Sequence, residues 1–252
     1  MGNEIYYPLP LPSKCRLYKD VKPEDIKIRT LKGKDEKLIA EINSDNIERK
    51  LTTVLKGVLQ GIDPIKLTLG DRMHIILWEI VNSFGKDHMI EVTCDHCGKT
   101  FQQTVDFSKI ESVELPDDFQ EPYSIELSDK RILNVRLFRV SDEISISDFE
   151  KSGKNSWSYR FAHTIVDDNL NIVEKEALID DLPSIDTAKI RFVQEKFQHG
   201  PDMLTEYKCS CGGNGIVAVP FHPRLLLPYG QELASCVGTT ISADVLPENV
   251  NN

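Results

Sequence analysis

No apolar run in the chain approaches the roughly twenty residues that a membrane helix needs, so no membrane span is expected. The start lacks the basic-then-apolar layout of a secretion signal, and Tyr6 stands where an N-myristoylation pattern wants Ser or Thr. An intracellular, reducing setting follows as the expectation, in which paired cysteines point to metal before disulfide. Cations are also in short supply: 30 Lys and Arg face 40 Asp and Glu, for a formal charge of −10. The acids are spread along the chain (Asp117-Asp118, Asp142-Glu143, Asp167-Asp168, Asp180-Asp181), whereas phosphate binding needs clustered cations that release counterions. The balance favours protein partners over nucleic acid, although Lys14, Arg16, Lys19, Lys22, Lys27 and Arg29 could form a local basic face.

Catalytic motifs are missing as well. There is no Gly-x-Ser-x-Gly elbow, no phosphate-cradling glycine loop before a helix and no His-Glu-x-x-His, and the Glu that zinc deaminases place near their ligands has no counterpart around His96. Adjacent acids such as Asp167-Asp168 and Asp180-Asp181 read as solvated turns. No internal repeat is evident, and the only biased stretch is the proline-rich start. A non-enzymatic protein is expected.

What is present is a pair of cysteine knuckles. Cys94-Asp95-His96-Cys97-Gly98 lies between the strand-like runs 89–93 and 101–105, and Cys209-Ser210-Cys211-Gly212-Gly213 between 205–208 and 216–219. Two hairpin tips of this kind can converge on one tetrahedral ion; four soft thiolates suit a structural Zn2+, one per chain, and glycine after the second cysteine permits the positive φ of the turn. Cys94, Cys97, Cys209 and Cys211 are therefore the candidate ligands. The competing readings are two unrelated pairs of small buried residues, a redox pair, or His96 in place of one thiolate. The second knuckle is CxC, one residue shorter than the usual spacing. Cys15 and Cys236 have no partner at ligand spacing and read as buried small residues.

The rest of the chain reads as α+β: a four-cysteine zinc-ribbon-like β stem with N-terminal helices and a mixed α/β insertion lobe. Residues 1–88 supply an extended Pro-rich arm, a strand over 25–31 turning at Gly33, and two amphipathic helices. The first helix carries Ile47, Leu51, Val54, Leu55, Val58, Leu59 and Ile62 on one stripe, with Asp45 and Glu48 at capping-box spacing. The second starts near 68–71 and ends at Gly85, with His74 and Trp78 flanking its apolar face. Residues 89–110 with 201–230 form the stem. Residues 111–200 form the lobe, with a hairpin of 123–127 and 131–139, helices near 142–151 and 156–166 (Trp157, Phe161 and Ile165 on one face), and a helix opened by Pro183 that carries Ile190, Val193 and Phe197. Residues 231–252 read as a flexible tail. In the arm, Tyr6, Tyr7, Leu9 and Leu11 alternate with prolines on an extended segment, and are the candidate partner-binding residues; covering an apolar strip of their own domain is the alternative.

The order of features has a counterpart. Leu11-Pro12-Ser13 with Tyr18, Arg29-Thr30-Leu31 with Gly33-Lys34-Asp35-Glu36, Leu69-Gly70-Asp71-Arg72, Phe84-Gly85, the first knuckle with Val105-Asp106, His199-Gly200-Pro201 and the second knuckle follow one another in this chain. Over roughly residues 9 to 230 it resembles the baseplate hub proteins of T-even-like contractile-tailed bacteriophages. The resemblance implies a viral tail protein of the virion baseplate, made and assembled in the host cytoplasm, without enzymatic activity and in contact with other baseplate hub or tail proteins. It leaves two roles, a permanent hub subunit or an assembly chaperone absent from the finished particle. It also places the four knuckle cysteines at the family's metal-ligand positions. A nucleic-acid-binding zinc ribbon is the reading from a different class.

Overall fold

A computed structural model describes residues 4–221 and 223–227 of the chain. The prolines at 8, 10 and 12 hold its start extended. Tyr7–Pro8 (β1) pairs antiparallel with Lys27–Ile28 (β2), Tyr7 opposite Ile28. The strand expected over 25–31 is thus only two residues long, and Gly33 is not a turn but the first residue of helix α1, Gly33–Ile39. Asp35 is the reason: its carboxylate accepts the Lys32 backbone N–H at 2.9 Å, satisfying a donor at the helix start.

Helix α2, Ile47–Val58, buries Leu51, Val54, Leu55 and Val58 as its stripe predicts. It stops before Leu59, which joins Gln60 in β3 and pairs with Ile28 of β2. The expected capping box does not form. Asn46 is the N-cap and makes no side-chain cap bond, while the Glu48 carboxylate accepts from the Arg72 guanidinium instead. Helix α3, Leu69–Phe84, begins after Thr68, whose Oγ1 accepts the Asp71 N–H at 3.2 Å, and ends at Gly85 as expected.

Next come the hairpin of β4 (Asp87–Thr93) and β5 (Thr100–Asp106), the short β6 (Ser112–Val113), and the hairpin of β7 (Tyr123–Glu126) and β8 (Ile132–Val135). Helices α4 (Val140–Glu150), α5 (Trp157–Ala162), α6 (Ile172–Asp181) and α7 (Ser184–Lys196) follow. The short β9 (Gly200–Pro201) leads to the last hairpin, β10 (Leu204–Lys208) with β11 (Asn214–Ala218). Helix α6 is absent from the sequence reading, and Asp180-Asp181 form its last turn rather than a loop. Its start carries a full capping box: Asn171 Oδ1 accepts the N–H groups of Val173 and Glu174, and Glu174 accepts that of Asn171.

The described residues fall into two compact units, one drawn from residues 4–29, 41–75 and 112–200, the other from residues 30–40, 76–111, 201–221 and 223–227. In the first, Ile125, Leu133 and Val135 of the β7–β8 hairpin share one core with Phe161, Ile179, Ile190, Val193 and Phe197 of the helical segments. Phe119 and Phe197 meet at 4.2 Å between ring centroids. Trp157 departs from its expected face: it is 44% exposed and lies edge-on to Phe161. In the second unit, β4 buries alternate residues His88, Ile90 and Val92, and His88 stacks on Phe107. The tail 231–252, with Cys236, lies outside the described residues. Among the described residues no helix is long and apolar enough to cross a membrane.

Candidate metal centre

Two hairpins of the second unit present the cysteines at their tips. The β4–β5 register ends at Thr93 opposite Thr100, leaving residues 94–99 to turn, and the β10–β11 register ends at Lys208 opposite Asn214, leaving 209–213. Both tips close by the same pair of backbone bonds. Cys94 N–H donates to Lys99 O at 3.0 Å and Gly98 N–H to Cys94 O at 2.8 Å; Cys209 N–H donates to Gly213 O at 2.8 Å and Gly212 N–H to Cys209 O at 3.0 Å. Gly98 and Gly212 take φ of +69° and +87°, the conformation glycine adopts without strain. The CxC knuckle is therefore the CxxC knuckle with one residue fewer in its loop.

The four Sγ atoms of Cys94, Cys97, Cys209 and Cys211 all lie within 4.8 Å of one another. The short contacts cross between knuckles, Cys94 to Cys211 at 3.8 Å and Cys97 to Cys209 at 3.7 Å. A tetrahedron with metal–sulfur bonds of about 2.3 Å has sulfur–sulfur edges of about 3.8 Å, so the cluster has the dimensions of a tetrathiolate site. Backbone N–H groups favour the thiolates: His96 and Cys97 toward Cys94, Lys99 toward Cys97, Cys211 toward Cys209, and Gly213 toward Cys211 at 3.4 Å.

The thiols of the cluster do not ionise alike. The Cys211 N–H is the main influence that brings the Cys209 thiol down to about 6. At Cys97 the Lys99 N–H works in the same direction, but the neighbouring sulfurs outweigh it and push the thiol up to about 11. Burial opposes ionisation of Cys94, and the N–H groups of Cys97 and His96 overcome it. Four thiolates this close repel one another unless a positive ion sits among them. His96 is not part of the sulfur cluster: its Nε2 is 3.3 Å from Asn214 O. Cys15 is buried, and burial pushes its thiol up to about 11.

The four arm residues divide. Leu9 and Leu11 are 3% and 4% exposed, and Leu9 N–H donates to Ile26 O at 3.1 Å. Tyr7 is 45% exposed, and the hydroxyl of the half-buried Tyr6 donates to Glu4.

A second constellation escaped the sequence reading as a group. Ser13, Tyr18, Thr68, Asp71 and His199, all from the first unit, form one buried hydrogen-bond cluster. Asp71 accepts from the Ser13 N–H at 3.0 Å, from the Ser13 hydroxyl at 2.5 Å and from the Tyr18 hydroxyl, while Thr68 Oγ1 and His199 Nε2 are 2.7 Å apart. Beside it the backbone of Gly70, in the first turn of α3, touches the backbone at His199 and Gly200: a Cβ at Gly70 would lie 2.0 Å from His199 O. A serine, a histidine and an aspartate together invite a catalytic reading, but Ser13 and Asp71 are 0% exposed and the serine hydroxyl is spent on the aspartate rather than on the histidine. The cluster joins three distant segments and stabilises the fold. These are the residues of Leu11-Pro12-Ser13, Tyr18, Leu69-Gly70-Asp71 and His199-Gly200, so short motifs far apart along the sequence meet at one place.

Neither the curated proteins nor the solved structures compared with the chain gave a match. A family model does: the one described as T4 bacteriophage base plate protein covers residues 9–220, which takes in the Asp71 cluster and all four knuckle cysteines, and the chain belongs to that family.

Proposed function

We propose that this chain is a non-enzymatic protein of the baseplate hub, acting through contacts with other tail proteins, and that Cys94, Cys97, Cys209 and Cys211 bind one structural Zn2+. The observation that carries the metal is the meeting of four sulfurs from knuckles 112 residues apart at tetrahedral spacing. Four thiolates would fill the coordination sphere and leave no position for a reacting water, which fits a clamp rather than a catalyst. The buried, mutually bonded Asp71 cluster likewise offers no open site. In this reading the exposed Tyr7, with Tyr6, contacts a neighbouring tail protein, and Leu9 and Leu11 anchor the arm that carries them.

Metal analysis of freshly purified protein that has never met a chelator should return about one zinc per chain; a value near zero overturns the zinc assignment. Mass spectrometry of mature tails, set against assembly intermediates, tests the role. A chain present in both is a hub subunit, one confined to intermediates is an assembly factor, and one found in neither overturns the hub reading.

A further inference from the structure

Several bonds cross between the two knuckle hairpins. Lys99 Nζ donates to Ser210 Oγ at 3.2 Å, Gln103 Nε2 to Glu206 O at 2.8 Å, and His96 meets Asn214 O, all at exposed positions where water competes. One further contact is partly buried. Tyr207, on β10 two residues before Cys209, is 2% exposed. Its hydroxyl accepts the Asp95 N–H at 3.1 Å, lies 3.4 Å from Asp95 Oδ2, and has the Cys94 side chain as a further neighbour. A side chain of the second hairpin thus grips the first knuckle at the residue that follows its first cysteine.

The ring cannot easily be anywhere else. Phe101 of β5 lies edge-on to it, with centroids 6.2 Å apart. Opposite it in the β10–β11 register stands Gly215, where a Cβ would come within 2.8 Å of Tyr207 Cε1 and 2.9 Å of its hydroxyl oxygen. The phenol occupies the volume that a side chain at 215 would need, so Gly215 is part of the same device.

We propose that Tyr207 is a positioning residue of the metal centre: its bond to Asp95 sets the separation of the two knuckles before the ion arrives, and Gly215 keeps the space in which it does so. The inference rests on the metal reading above. An ion that enters a site already assembled does not spend binding energy on bringing two hairpins together, so loss of the hydroxyl weakens the metal without changing its ligands.

The test uses the full chain and Co2+ as the probe, because its thiolate charge-transfer and tetrahedral d–d bands report the ligand set while competition with a chelator reports affinity. Tyr207→Phe and Gly215→Ala should each keep the tetrathiolate spectrum and lose Co2+ about 10- to 100-fold more readily than the parent. Gln103→Ala, which removes an exposed cross-hairpin bond, should match the parent. Parent-like competition by Tyr207→Phe overturns the proposal and leaves the metal reading standing. Equal weakening by Gln103→Ala overturns it too, since any contact between the hairpins would then serve. A parent that shows no thiolate–cobalt band overturns the metal reading, and this inference with it. If Tyr207→Phe does not fold, Gly215→Ala decides alone, because it displaces the phenol without removing its hydroxyl.

Discussion

Asp142 shows what a single residue can hide. Read along the chain, Asp142-Glu143 is one more acidic pair among many; folded, Asp142 is 3% exposed and its two oxygens accept from Arg136 at 2.7 and 2.9 Å. Burial pushes its pKa up, and the hydrogen bonds from His163 and Arg136, with the charge of Arg136, outweigh burial and hold it at about 2. A carboxylate depressed in the folded state contributes stability above its unfolded value of 3.8, and loses it as pH falls through about 2. Stability of the parent should therefore decline between those two values. Asp142→Asn should lack that part of the acid limb and lose about 3 to 5 kcal/mol near neutral pH, because Arg136 is left without its charge partner. Denaturant titrations of both proteins across this range check it; superimposable acid limbs would show that Asp142 is not the group responsible. Partners explain the difference in legibility. The cysteines announce themselves by short spacing and an adjacent glycine, whereas Asp142 depends on Arg136 and His163, and Asp71 on Ser13, Tyr18 and His199, which only the fold assembles.

At the scale of elements, periodicity read well where burial is one-sided and poorly where local hydrogen bonding decides. Helix α2 was legible from its stripe, since Leu51, Val54, Leu55 and Val58 recur at helical steps. Helix α6 was not, because only Ile179 is buried and the signal lies in its Asn171–Glu174 capping box. Helix α1 was missed and its first residue, Gly33, read as a turn because Ile26 and Ile28 alternate just before it, while Asp35 sets its start. The fate of Glu48 changes what a substitution there means. Leu51→Asp buries an unpaired carboxylate at a position 1% exposed and should cost several kcal/mol. Glu48→Ala does not remove a cap; it leaves the guanidinium of Arg72, itself 12% exposed, short of a partner, and should cost about 1 to 3 kcal/mol. Denaturation midpoints of the two variants should separate clearly, with Leu51→Asp the lower. Equal midpoints would mean that the stripe does not carry the stability assigned to it.

For the molecule as a whole, a net charge of −10, a cluster of four cysteines with no open reacting site and membership of a baseplate family all direct attention to surfaces that other proteins touch. The proline arm was expected to act in partner binding more than in folding, and the structure asks for a finer experiment than removing it. Leu9 and Leu11 are buried and Leu115 N–H donates to Pro12 O at 3.0 Å, so deletion of residues 2–12 would strip core as well as surface. Burying a leucine is worth about 1.5 to 3 kcal/mol, enough to mask any effect on association. Point substitutions separate the two contributions. Leu9→Ala should lower the melting temperature of the isolated protein through the cavity it leaves. Tyr7→Ser, at a side chain 45% exposed, should leave melting within about a degree or two of the parent, since exposed substitutions move stability by roughly half a kcal/mol. The same Tyr7→Ser protein, added to hub assembly intermediates prepared without this chain, should incorporate poorly, because an exposed tyrosine on a pre-extended segment offers contact area at little cost in ordering entropy. Normal incorporation of Tyr7→Ser would place the arm wholly in the service of its own unit, and a large fall in its melting temperature would say the same by the other route.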